Sequence, residues 1–323
     1  MRLIYPAPDE AVLCLRAMHS VVTRAEGIPF AARAMMTAAQ RLVLHTVADL
    51  DALAPITPAE LAASISTPGL GDQVVQAMLL GVIADGEPDP ACDARAEAFA
   101  TALGVTMPGL RTVRLLCEHH KLLFMLDYMR RSSMRDMIAD QYKHHGGIEG
   151  VVNGLLGLRG FREDPELARR YIALRDLPAD TLGHAFFRHY RDNGFALPGE
   201  RNGFPEGAIY HDFRHVLSGY GTTVEGETMV GGFTAGYRKV NPFYVMLIPI
   251  LSFSTGVNVT PSNQPHITAT LGHPGTAAGF IQAIERGARV NTDLSANWDF
   301  WPLVELPLAE VRARLDIPPL DPH

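Results

Sequence analysis

The chain has 323 residues, 47% of them hydrophobic and 20% charged, with a formal net charge of −7. That length suits two domains of ordinary size with a sizeable core. The acidic balance argues against non-specific nucleic-acid binding, which needs a basic face to displace phosphate counterions, and leaves room only for local basic patches.

Cys14, Cys92 and Cys117 have no ligand-like spacing, and so sparse a set indicates reduced thiols in the cytosol. The opening MRLIYPAPDE lacks the basic segment and long apolar core of a signal peptide. No run reaches the ~18 uninterrupted apolar residues of a spanning helix. The nearest, FYVMLIPILSFSTGV, is interrupted by Pro249 and diluted by Ser252, Ser254 and Thr255.

Residues 9–105 read as helices. DEAVLCLRAMHSVVTRAEG opens on acids, carries an apolar stripe and stops at Gly27. Two more helices flank the turn Asp85-Gly86-Glu87-Pro88. Each of these stretches is an apolar helix, an acidic-glycine turn and an Ala-rich helix, which fits either an internal duplication or two hairpins of common design. LLGVIADGEPDPACDARAEAFATALGV resembles tellurite-resistance protein B-like helical domains. In that family the acidic turn is associated with metal, so Asp85, Glu87 and Asp89 are candidate cation ligands; the alternative is plain helix capping.

GVTMPGLR, residues 104–111, marks a boundary that gives domains 1–106 and 107–323. One long helix is expected from Arg111 to His145, stopped by Gly146-Gly147. The adjacent His119 and His120 point about 100° apart and cannot share a face. His144 and His145 sit where a helix C-terminus favours imidazole. LPADTLGHAFFRHYRDNGF is a further helix, started near Thr181 and stopped at Asn193-Gly194. Its His184 and His189 are five apart, a poor ligand spacing.

HDFRHVLSGYGTTVEGE, residues 211–227, carries the chemistry. On a helix over 208–219, Ile209, Phe213, Val216 and Tyr220 share an apolar face, while His211, His215 and Ser218 form a separate stripe. Histidines at i and i+4 are a two-point bite for a metal. Glu227 reaches them only if SGYGTT breaks the helix. Thr222-x-x-Glu225 has the form of a capping box that starts a new one. The helical hairpin then returns Glu227 towards the imidazoles, and Gly231, Gly232 and Gly236 permit close approach. Asp212 either ligates or orients a ligand.

His-Asp-x-x-His, eleven residues and Glu is the signature of the coenzyme Q biosynthesis protein 4 family. His211, Asp212, His215 and Glu227 match it without a gap. The resemblance extends to the Leu-Pro-x-x-Thr-Leu-Gly helix and to the C-terminal AIERGARVNTDLSANWDFWPLVELPLAEVRARLDI, so it covers residues 176–318. Residues 1–106 are extra, and the insert at 252–275 is longer and more polar than the family pattern.

The fold expected is all-α: a helical bundle carrying a metal-binding hairpin, preceded by a smaller helical domain. The resemblance implies a role in ubiquinone biosynthesis, with His211, Asp212, His215 and Glu227 as metal ligands and as the catalytic set. The reaction implied replaces the C1 carboxyl of a polyprenylated benzoate ring by hydroxyl. The alternative is a non-catalytic prenyl-lipid scaffold that organises the biosynthetic complex. A phosphohydrolase built on the His-Asp pair ranks last, since it expects further His and Asp residues elsewhere. Zinc suits the donors best, with iron, manganese or cobalt as other divalent choices.

Expected partners are a polyprenylated benzoate or quinone-like lipid, other ubiquinone-biosynthesis proteins, a second copy in a homodimer, and no nucleic acid. Peripheral contact with the cytoplasmic membrane face is expected, with NPFYVMLIPILSF and GTAAGFIQAIERGARV lining a tail channel and Arg286 and Arg289 at lipid headgroups. Tyr210, Ser218, Tyr237 and Arg238 are candidates either to support the site or to pack.

Overall fold

The computed structural model describes residues 1–132, 163–255, 267–295 and 298–320, with Val257 and scattered residues between 139 and 156. Among the described residues there is no strand, only the isolated bridges Arg24–Gly27, Thr181–Pro307 and Thr255–Thr268. The all-α expectation holds.

The N-terminal part is built from α1 (Pro8–Val22), α2 (Phe30–Leu42), α3 (Pro58–Ser64), α4 (Leu70–Ile83) and α5 (Pro90–Ala102). Prolines at the first position, where no N–H is required, open α1, α3 and α5. Asp85 caps a different helix: its two oxygens accept the Ala31 and Ala32 N–H groups of α2 at 2.7 and 3.0 Å. Asp89 caps α5 through the Ala91 N–H at 2.7 Å and lies 3.7 Å from Arg24, which also faces Glu87. The acidic turn thus serves helix ends, and no metal-ligand group forms there among the described residues.

The long helix expected from Arg111 is two helices, α6 (Pro108–Cys117) and α7 (Lys121–Arg131). His119 takes a left-handed conformation, φ 58°, and the N–H groups of His119 and His120 return to the Leu116 and Leu115 carbonyls. This pattern ends α6 as a Schellman motif does. The break lets Phe124 and Tyr128 turn into the core. His144, His145 and Gly146 lie outside the described residues, as does most of the strand-like STGVNVTPS.

From residue 163 on, the described α-helices are α8 (Pro165–Ile172), α9 (Leu182–Asp192), α10 (Tyr210–Ser218), α11 (Val224–Tyr237), α12 (Pro242–Ser254), α13 (Thr276–Gly287) and α14 (Leu308–Arg314). Two apolar cores result among the described residues. The first joins α1–α7 to Phe243 and Ile250 of α12 and to Phe280 and Ile284 of α13. The second gathers Tyr171, Phe186, Tyr190, Phe213, Phe233 and Phe300. Helices α11 and α13 face both cores: Ala235 joins the first and Phe233 the second, while Ile284 joins the first and Ala283 the second. Small residues make this possible. A Cβ on Gly232 would stand 2.7 Å from the Phe280 carbonyl oxygen, and one on Gly236 would strike the Ile284 carbonyl. The backbones therefore touch where any side chain would hold them apart.

Helix α12, the most apolar segment, has 13 residues with Pro249 inside. At ~1.5 Å rise it spans about 20 Å, short of a bilayer core of ~30 Å. No helix among the described residues is long and apolar enough to cross a membrane.

Candidate metal centre

Helix α10 presents the two histidines and α11 the glutamate. Gly219, with φ 80°, ends α10 and returns its N–H to the His215 carbonyl at 2.8 Å. Glycine takes this left-handed turn without the Cβ penalty. Thr223 then caps α11 by accepting the Gly226 N–H at 3.2 Å, one residue later than the expected Thr222 box. Glu227 lies in the first turn of α11 and His215 in the last turn of α10. Each helix dipole therefore favours the charge its residue can carry.

Helix α10 is seated on an aromatic core. Phe186 of α9 stacks on Phe213 of α10 with centroids 4.2 Å apart. Buried Arg214 ties α10 to α11, donating to the Tyr210 carbonyl at 3.0 Å and to Thr234 Oγ1 at 3.3 Å. The last carbonyls of α10 have no partners within the helix. Arg312 donates to those of Val216 and Leu217 at 2.9 Å each, and Arg286 to that of Ser218 at 2.7 Å. Arg286 also donates to the Pro318 carbonyl and is buried against Tyr220 and Phe233. This overturns its expected place at lipid headgroups: its charge is committed to locking α10.

His211, His215 and Glu227 converge, with one ligand atom from each lying within 4.8 Å of the others. His211 Nε2 is 3.1 Å from Glu227 Oε2 and 3.1 Å from His215 Nε2, and His215 Nε2 is 3.3 Å from Glu227 Oε1. The His215 Nδ1–H donates to the Tyr220 carbonyl at 3.1 Å, which leaves Nε2 facing the cluster to take either a metal or a proton. Burial opposes ionisation of Glu227, yet the charges and hydrogen bonds of His211 and His215 outweigh it and hold the carboxyl well below its usual range. Burial likewise opposes protonation of His215, and Glu227 outweighs it and raises the imidazole. The His215 side chain is 1% exposed, whereas His211 is 42% and Glu227 24% exposed. The cluster is closed on the His215 side and open on the other.

The fourth expected ligand stands apart. Asp212 Oδ2 accepts the Tyr190 hydroxyl at 2.5 Å, and Oδ1 lies 4.0 Å from His189 Nε2. His189 stacks on His215 with centroids 5.4 Å apart, and its buried Nε2 has no hydrogen-bond partner. Burial lowers its affinity for a proton, so a neutral imidazole backs the cluster. His189, set aside on spacing to His184, is the residue sequence reasoning missed. The one signal was Tyr190, whose polar tip beside an apolar helix face needed a buried partner.

The other candidates pack. Tyr210 meets Trp298 and Phe300. Ser218 bonds local backbone. The Tyr237 hydroxyl donates to Thr234, and Arg238 donates to Ser295 and the Val240 carbonyl.

Two imidazole nitrogens and a carboxylate, one ligand oriented from behind and one side open to solvent, are a donor set that fits a divalent metal. No family model matches this chain. No curated protein matches it either. Among solved structures it is similar to a protein from Nostoc punctiforme provisionally named a ubiquinone biosynthesis protein, at 14% identity and a TM-score of 0.33. That likeness covers 78% of this chain and 99% of the other.

Proposed function

We propose that His211, His215 and Glu227 hold a divalent metal and that the centre acts on an aromatic carboxylic acid bearing an apolar tail. The observation that supports this most is the convergence of the three donors with an open side at His211 and Glu227. A purely structural metal is normally enclosed by its ligands, whereas a catalytic one keeps a position free. The resemblance at residues 211–227 suggests the reaction: replacement of the ring carboxyl by hydroxyl within ubiquinone biosynthesis, on a polyprenylated benzoate.

The chain's residues would divide the work. His215, fixed through Nδ1 by the Tyr220 carbonyl, sets the position of the centre. Glu227 supplies the negative charge, its carboxyl kept ionised by the two imidazoles. His211 borders the open side and contacts what enters. A bound metal would polarise the carboxylate and stabilise charge as carbon dioxide departs. Zinc suits the donors; because it does not change oxidation state, the two electrons lost as the ring carboxyl leaves as carbon dioxide would pass to dioxygen, giving hydrogen peroxide, with water supplying the hydroxyl oxygen. The protein would work beside the membrane that stores such lipids, with other enzymes of the pathway and a second copy as partners.

One observation favours a second reading. The two histidines and Glu227 also satisfy one another without a metal, stapling α10 to α11. The hairpin would then support a prenyl-lipid-binding scaffold. Glu227→Ala separates the two. Under the catalytic reading, cells carrying the variant accumulate a prenylated ring that keeps its carboxyl group, at unchanged protein level. Near-normal quinone from a folded, metal-free variant favours the scaffold.

A further inference from the structure

Asp93 is a buried carboxyl with no partner for a charge. It lies in the first turn of α5 and is 4% exposed, and its Oδ1 is buried without a hydrogen bond. The cation that acts on it is Arg114 of α6, whose guanidinium is paired with Glu97 instead. Glu97, one turn along α5, and Glu118, at the end of α6, both oppose a further negative charge there. Cys117 of α6, itself buried, feels the same carboxyl. Helices α1, α3 and α4 also pack on α5, and none of the charges that act on Asp93 comes from them.

An unpaired charge is strongly disfavoured in such a place, so the group either stays neutral or reaches water. The dipole of α5 favours ionisation at this position, but it is a weak effect beside desolvation. Burial, reinforced by the two glutamates, pushes the Asp93 carboxyl up to about 7 from its ordinary 3.8. The junction between α5 and α6 matters beyond itself, because α6 also grips α12. Thr112 Oγ1 lies 2.6 Å from the Tyr244 hydroxyl, and a Cβ on Gly109 would stand 2.6 Å from the Phe243 ring. Loosening α5 from α6 therefore slackens one of the ties between the N-terminal helices and α12.

We propose that Asp93 is a proton-controlled latch between α5 and α6, closed while its carboxyl is neutral and loosened when the carboxyl ionises. The latch is separate from the His-His-Glu cluster and does not rest on the function proposed for it. An opened Asp93 ionises near 3.8 and a closed one near 7, so the closed junction holds its proton across that interval. Its stability is full below pH 3.8, falls as pH rises towards 7 and levels off above that. The loss of one bound proton lowers the closed-to-open ratio by up to about tenfold per pH unit.

The test is amide hydrogen exchange on the full chain, read by mass spectrometry from about pH 5 to about pH 8 and corrected for the intrinsic rate at each pH. Wild type is compared with Asp93→Asn, which keeps the shape of the neutral carboxyl and cannot ionise. Between about pH 5 and about pH 7, opening of the α5 and α6 amides should rise about tenfold or more in the wild type relative to the variant. Amides of α9 should behave alike in both proteins. Parallel profiles for α5 and α6 overturn the proposal. If Asp93→Asn fails to fold, infrared spectroscopy decides. It is run on Glu285→Gln, because burial raises that carboxyl too. A protonated-carboxyl band should be present at about pH 6 and lost by about pH 8. Absence of that band at about pH 6 overturns the proposal as well.

Discussion

The Tyr190 hydroxyl donates to Asp212 Oδ2 across 2.5 Å, and the second residue of the His-Asp-x-x-His run is thereby directed towards α9. Successive residues on a helix point about 100° apart, so His211 and Asp212 cannot both face Glu227 from adjacent positions. Removing Asp212 should therefore matter less than removing a converging donor. Asp212→Asn should weaken zinc binding by about tenfold, the scale of an indirect partner. Glu227→Ala should weaken it by about a hundredfold or more, since a first ligand is lost. Zinc titration against a chelator of known affinity reads both, and equal losses would place Asp212 on the metal.

A pH dependence follows for the metal-free protein. The depressed Glu227 carboxyl contributes stability that is present above its ordinary 4.5 and lost as pH falls through the lower folded value. The raised His215 imidazole contributes stability that is present below its ordinary 6.5 and lost as pH rises through the higher folded value. The two overlap between about pH 4.5 and 6.5. The difference in Tm between wild type and Glu227→Gln should be largest there and shrink on either side. A difference that grows steadily above pH 7 would contradict this. Zinc binding should release protons below neutrality, measurable by calorimetry in buffers of different ionisation enthalpy.

Gly236→Ala tests the close approach of α11 and α13. The added methyl would strike the Ile284 carbonyl and the Ala288 amide, both backbone, which cannot rotate away. Such overpacking should destabilise by about 1–3 kcal/mol. Gly221→Ala is the control: an added Cβ there meets nothing within 4 Å, and its backbone needs no left-handed conformation. Its stability in urea should match wild type within about 0.5 kcal/mol.

Arg312→Met should show how far α10 depends on its clamp. The two carbonyls it serves, Val216 and Leu217, adjoin His215. Losing charge-assisted bonds to buried carbonyls should cost about 1.5–3 kcal/mol. Zinc affinity should also fall, because the helix end that aims His215 is released. Unchanged affinity with lowered stability would show that the Tyr220 carbonyl alone fixes the imidazole.

What the sequence revealed was local. Helix α9 runs from Leu182 to Asp192, with Thr181 capping the His184 N–H, as its start and stop residues indicate. The His211–His215 pair and the break at Gly219 are one-turn relationships, and Glu227 follows once the break is recognised. What stayed hidden depends on distant partners. Asp85 resembles a turn ligand until α2, 53 residues earlier in sequence, presents its free N–H groups to it. Arg286 and Arg312 look like surface charges until the end of α10 arrives between them. The break at His119 has no breaker residue: core packing of Phe124 and Tyr128 overrides a strong helical pattern.

Because α13 closes the first core, a ribosome must deliver Phe280 and Ile284 before the apolar faces of α1, α2 and α4 are fully covered. At about 5–20 residues per second, those faces wait roughly ten seconds or more after their own synthesis. During that interval the nascent chain displays the surface that chaperones bind and aggregation exploits. Truncation before residue 276 should therefore yield an insoluble or chaperone-bound product rather than a smaller folded protein.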